Sequence, residues 1–213
     1  MMMLLAAAVL LHTIGAPDAP VGDRKTAPVP RVNPRNGESG ASGAPWLDAN
    51  GWRYRRSPNA KWVVTCAKDQ GALATAEAAV FRADVLVRVV PGDRPRVDAI
   101  LKLIASLPAF DGRPVADVTV EDDGGMDAAE ALNLLARRNL MQGPGAPLRM
   151  SAKGAAKNPS QFAYDIRKKI GDDNRWLRIY GSQVVLGYLE AAPDKRLRLH
   201  LLNYGRGSVD GLR

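Results

Sequence analysis

Residues 61–107 read KWVVTCAKDQGALATAEAAVFRADVLVRVVPGDRPRVDAILKLIASL, and the fold class follows from them. KWVVTC at 61–66 is an apolar, β-branched run of strand length, and the alanine-rich 71–82 reads as a helix. DVLVRVV at 84–90 is a second such strand, stopped by Pro91-Gly92. Asp93 is placed to cap the next helix. Its Val97, Ile100, Leu101, Ile104 and Leu107 recur at steps of three and four before Pro108 ends it. Strand, helix, strand, helix in this order calls for parallel strands joined by crossover helices, because parallel neighbours need a long connection.

The pattern continues downstream. PVADVTVE at 114–121 reads as a third strand, Asp122-Asp123-Gly124-Gly125 as a turn, and 127–138, capped by Asp127, as a third helix. After the loop QGPGAP at 142–147, a short strand is expected near 148–151. A helix then opens at Asn158-Pro159-Ser160 and closes at Gly171, with Phe162, Ile166 and Ile170 on its buried side. From about residue 175 the period changes to two. Residues 176–180 and 183–189 read as strands with Gly181-Ser182 as the bend between them. Residues 195–202 set Leu197, Leu199 and Leu201 on one face and Arg196, Arg198 and His200 on the other, after an Ala192-Pro193-Asp194-Lys195 turn. This is antiparallel sheet with one wet face, and 208–212 has the character of a further strand. The expected fold is α/β: a mostly parallel three-layer sheet followed by an antiparallel C-terminal hairpin region, in one domain over 46–213.

Upstream, residues 1–15 carry no charge, and LLAAAVLL at 4–11 has the length of a secretory signal core but not of a bilayer span. Export is therefore expected, with no transmembrane span in the mature chain. Residues 16–45 are rich in Pro, Gly, Ser and Ala, and read as a disordered linker that cannot bury enough surface to offset its ordering entropy. The folded part should begin near Trp46. Trp46, Trp52, Tyr54 and Trp62 follow closely, either packing the first strand against the core or offering rings to sugars.

The charge balance, 30 Lys and Arg against 22 Asp and Glu, gives +8. The cations alternate with acids along most of the chain, so a basic surface is expected rather than a dedicated polyanion site, and nucleic acid is not an expected partner. The single cysteine, Cys66, excludes an intrachain disulfide and a multi-cysteine zinc site. Of the two histidines, His12 falls in the expected signal, which leaves His200 as the one imidazole for catalysis. There is no phosphate loop, nucleophile elbow or H-E-x-x-H, and no cofactor or metal is expected. Ligands of open parallel sheets bind beyond the carboxyl ends of the strands. The candidates there are Asp93, Glu121, Asp122 and Asp123, able to hold a hard cation or divide acid and base roles. Arg178, Arg196, Arg198 and His200 are the candidate anion contacts on the final sheet.

RIYGSQVVLGYLE at 178–190 with RLRLHLLNYGRGSVDGLR at 196–213 resembles the end of a glutamine-amidotransferase-like α/β domain passing into a β region. VADVTVEDDGG at 115–125, LNLLARRNL at 132–140 and LHLLNYG at 199–205 also resemble uncharacterised exported bacterial proteins. The resemblance implies a flavodoxin-like layered sheet. It also implies the role such domains have beside glycoside hydrolases, which is trimer assembly without the catalytic carboxylates. Cys66 is followed by Ala67-Lys68-Asp69, not a glycine-flanked elbow, so no amidotransferase residue transfers. The implied protein is a degenerate, non-catalytic domain that binds or assembles in carbohydrate-related work, with a carbohydrate or further copies of itself as partner. A hydrolase using the acidic strand ends and a polyanion binder using the arginines stay open as alternatives.

Overall fold

A computed structural model describes residues 12–14, 21–33, 46–155, 157–180 and 184–205. In chain order its elements are β1 (His12–Ile14), β2 (Lys25–Thr26), β3 (Arg31–Asn33), β4 (Trp46–Asp48), α1 (Gly51–Arg56), β5 (Lys61–Thr65), α2 (Gly71–Val80), β6 (Asp84–Arg88), α3 (Arg94–Ser106), β7 (Arg113–Pro114), β8 (Val118–Glu121), α4 (Met126–Arg137), β9 (Leu148–Ser151), α5 (Pro159–Ile170), β10 (Val185–Ala191) and β11 (Leu197–Asn203). The chain divides into two compact units, Met1–Arg31 with Asp48–Leu107 and Val32–Leu47 with Pro108–Arg213. It is α/β, with parallel sheets and antiparallel strand pairs.

The first unit is built on a four-stranded parallel sheet in the order β1-β6-β5-β2. Trp62, Val63 and Val64 of β5 and Val85, Leu86 and Val87 of β6 are all buried, the continuous apolar pattern of strands covered on both faces. Trp62 and Val64 share one core with Val85, Val87, Ala74 and Ala78 of α2 and Val97 of α3. The small residues of α2 let its backbone come close. A Cβ on Gly71 would sit 2.4 Å from a Val89 methyl, so the first residue of that helix has no room for a side chain.

Residues 21–33 were expected in a linker, yet they contribute β2 and β3. Lys25 and Thr26 lie in register with Trp62 and Val63, Ala27 N–H donates to the Val63 carbonyl (2.9 Å), and Arg24 pairs with Asp84 at 2.6 Å. A strand can add to a sheet edge through its backbone alone, which composition does not record. Residues 12–14, read as the end of a signal, form β1 beside β6. The expected signal core at 4–11, the bend and strand start at 181–183 and the further strand at 208–212 lie outside the described residues. Among the described residues no helix is long and apolar enough to cross a membrane.

The third strand-helix pair does not join that sheet, so one mostly parallel sheet is not what forms. The expected strand over 114–121 is broken at Asp117. β7 pairs antiparallel with β10, while β8 pairs in parallel with β9 in a sheet of its own. The Asp117 carboxylate accepts from the Met141 amide (2.7 Å) and the Trp176 amide (2.9 Å), and so ties the break to two distant segments. Behind β8, α4 and α5 close a core of Val118, Leu134, Leu135, Leu140, Phe162 and Ile166. α5 begins and ends as its residues require: Asn158 accepts from the Gln161 amide (3.0 Å), Pro159 is its first residue, and Gly171 follows with φ +74°. Asp127 stands in the first turn of α4 and makes no side-chain cap; Gly125 holds the cap position.

The C-terminal hairpin forms as expected. Lys195 N–H donates to the Ala192 carbonyl (3.0 Å), and Ala192 N–H to the Arg196 carbonyl (2.9 Å), with Lys195 at φ +68°. β10 lies between β7 and β11. Residues 176–180 form no strand. They cross β10 instead, and a Cβ on Gly187 would fall 2.1 Å from Leu177 and 3.2 Å from Ile179. Asn139, at φ +52° beyond α4, accepts from the Gly187 amide (2.6 Å) and holds that strand in place.

Candidate functional site

The acidic candidates fall in different units. Asp93 belongs to the first unit and Glu121, Asp122 and Asp123 to the second. The Asp93 carboxylate is buried and does not cap its own helix. It caps the preceding one, α2, accepting from the amides of Asp69 (2.8 Å), Gln70 (3.1 Å) and Gly71 (3.2 Å). Burial pushes this carboxyl up. The three amides together with the Arg96 charge outweigh it and hold Asp93 below the ordinary carboxylate range. A helix N-terminus at the carboxyl end of a parallel sheet is where an anion would otherwise bind. Here an internal carboxylate already occupies it.

Cys66, at the end of β5, is buried. Burial, with the Asp93 charge adding to it, pushes its thiol up to about 12, so it is not a thiolate at neutral pH. Glu121 pairs with Arg149 at 3.2 Å across the open surface. Asp122 and Asp123 each accept the amide two residues on, from Gly124 (2.9 Å) and Gly125 (2.8 Å), which is local turn chemistry. Among the described residues no group of three or more His, Cys, Asp or Glu side chains is arranged to hold a metal ion.

The anion candidates have internal partners as well. Arg178 pairs with Asp173 at 3.1 Å. Arg196 pairs with Asp194 at 2.5 Å and Asp111 at 3.5 Å. Arg198 lies over the Phe110 ring, 4.4 Å from its centroid, and donates to the Pro108 carbonyl. His200 stands 3.3 Å from the buried carboxylate of Glu190.

These last contacts reverse the expected exposure of β11. Arg198 and His200 turn toward the half-covered face, opposite Glu190 and Tyr188. Leu197, Leu199 and Leu201 face solvent at 59%, 46% and 58% exposure. On β10 the same face carries Leu189, packed with Val115 and Met141, and Gly187 beneath Leu177 and Ile179. The cover ends there, and the leucines of the next strand continue the apolar face uncovered.

Among the described residues the outer edge of β11 is open too. β11 is the terminal strand of its sheet among the described residues. Tyr204 N–H donates to the Val184 carbonyl and Ala192 N–H to that of Arg196, both at 2.9 Å, and the register between them opposes Leu189 to Leu199. Inward and outward backbone groups alternate along an antiparallel strand. The even-numbered residues therefore bond to β10, and the N–H and C=O of Leu197, Leu199, Leu201 and Asn203 point outward. Among the described residues, those with exposed apolar side chains on this strand are also the ones whose backbone groups point away from β10 with no partner. Alternation in the sequence placed the three leucines on one face; nothing in it marked that face as the wet one.

A smaller feature of the second unit is a cleft of about 330 Å³ lined by Asp117, Lys169, Asn174 and Trp176 among others, with Trp176 half exposed. Compared with protein-family models, curated proteins and solved structures, the chain matches none.

Proposed function

We propose that this chain is an exported, non-catalytic α/β protein with an assembly role, and that it works by strand addition at β11. The supporting observation is the coincidence on one strand of an open backbone edge and an uncovered row of leucines. Exposed, regular, apolar edge strands invite another strand, and natural proteins that do not use them blunt them with charge, proline or bulges. The leucine face of β11 carries none of these devices. The reading takes the first unit to be a reduced form of the layered amidotransferase-like sheet, acting as scaffold. A hydrolase built on the acidic residues is disfavoured because Asp93 is committed to the amides of Asp69, Gln70 and Gly71 at the start of α2, Glu121 to Arg149, and Asp122 and Asp123 to their own turn.

Hydrogen exchange in dilute solution tests the reading. The outward amides of Leu197, Leu199 and Leu201 should exchange fast while those of Arg198, His200 and Leu202 are protected. Equal protection of both sets would mean that the edge is already covered, and the assembly reading would be lost.

The cleft beside Trp176 favours a second reading, a sugar contact, since a half-exposed ring flanked by Asn174 and Lys169 offers an apolar platform with polar groups at its rim. Titration with neutral oligosaccharides should then quench the fluorescence of the wild type and not of Trp176→Phe. No quenching in either removes it.

A further inference from the structure

We propose that the occupant of the β11 edge is a second copy of this chain, paired antiparallel about a two-fold axis through Leu199; the proposal rests on the assembly reading above. Three observations carry it.

The first is the spacing. Leu197, Leu199 and Leu201 are symmetric about Leu199, so turning the strand on itself opposes Leu197 to Leu201 of the other copy, Leu199 to Leu199 and Leu201 to Leu197. Every exposed leucine then meets a leucine on one continuous face. Directly opposed side chains are the unit of sheet stabilisation, so this register is favoured over its neighbours. Centring on His200 instead would set Leu197 against Asn203 and leave its apolar surface unmatched.

The second is parity. The outward backbone groups belong to residues 197, 199, 201 and 203. The Leu199-centred register pairs odd residues with odd residues, so each outward donor meets an outward acceptor.

The third is charge. Both copies carry +8, which opposes self-association at long range. The polar side chains of β11 are nevertheless turned away from the leucine face and engaged, Arg198 by Phe110 and the Pro108 carbonyl, His200 by Glu190. No like charges meet on the apolar side. Two three-stranded sheets would thus join into one of six strands. A contact limited to one strand and its leucines lies at the small end of specific interfaces, about 1,200 Å² or less in total. The dimer should therefore be reversible and concentration dependent.

The test uses the full chain. Sedimentation velocity over a concentration series should show a monomer–dimer equilibrium, with Leu199→Lys raising the dissociation constant about tenfold or more. Cysteine trapping reads the register. In the proposed pairing the two Leu199 Cα atoms lie about 5.5 Å apart, inside the roughly 4.4–6.8 Å span of disulfides. The two Leu197 Cα atoms are about 14 Å apart along the strand. Under mild oxidation Leu199→Cys should cross-link. Leu197→Cys alone should not, and Leu197→Cys mixed with Leu201→Cys should. The wild type, whose Cys66 is buried, is the blank.

A strictly monomeric chain overturns the proposal, as does a dimer insensitive to Leu199→Lys, or cross-linking of Leu197→Cys by itself. The exchange experiment separates the two failures. If the outward amides are fast in dilute solution and stay fast at high concentration, only the second copy is refuted. If they are protected even when dilute, the assembly reading falls with it.

Discussion

Replacing Asp93 with Asn asks whether this carboxylate is a structural plug or a free functional group. The side chain keeps its shape, but one oxygen becomes an NH₂. Asp93 accepts three amides, one on Oδ1 and two on Oδ2, in a buried setting. Whichever way the amide turns, at least one of the three donors then faces a donor. A buried donor left without its acceptor costs about 1–3 kcal/mol, and bonds to a charged acceptor are worth more than those to a neutral one. Asp93→Asn should therefore cost about 2–4 kcal/mol, or about 5–15 °C in Tm for a chain of this size. Urea titration and calorimetry measure the loss, and faster exchange at Asp69–Gly71 would locate it. The pH dependence supplies the sign. Folding lowers the Asp93 carboxyl below its unfolded value of about 3.9, so its contribution is complete above that value and is lost as pH falls through the folded one. The gap between wild type and variant should be constant above about pH 5 and narrow in acid. A gap under about 0.5 kcal/mol, the size of an ordinary surface change, would refute the plug, and so would one that ignores acid.

Three further outcomes are expected. Cys66 should resist Ellman's reagent at pH 8 in the folded protein and react at once in denaturant, because burial disfavours its thiolate; prompt labelling of the native chain would contradict this. Gly187→Ala should destabilise by about 1–3 kcal/mol in urea titration, since the added methyl meets Leu177; an unchanged midpoint would mean that residues 176–180 do not cross β10 so closely. Lys195→Gly should stabilise by about 0.5–1 kcal/mol by relieving a left-handed backbone, seen as a higher urea midpoint; a lower one would show that the side chain matters more than the turn.

Much of the fold was legible where a local rule sufficed. β5, α2, β6 and α3 follow from apolar runs and helical spacing, α5 from Asn158-Pro159 and Gly171, and the hairpin from Ala192-Pro193-Asp194-Lys195. The break at Asp117 was not legible, because its two amide partners come from Met141 and Trp176, far along the chain. Asp93 illustrates the same limit at the candidate site. Its position before α3 suggested one helix, and its side chain serves another.

Alternation in residues 195–202 settled by itself that Leu197, Leu199 and Leu201 share a face, since successive side chains of a strand point opposite ways. Which face meets water was decided only by tertiary structure. Leu177 and Ile179 cover Gly187 and leave Leu201 opposite it exposed, while Glu190, Phe110 and the Pro108 carbonyl draw the polar side chains to the other, half-covered face. Burial is a property of what packs on a strand, and those neighbours come from elsewhere in the chain.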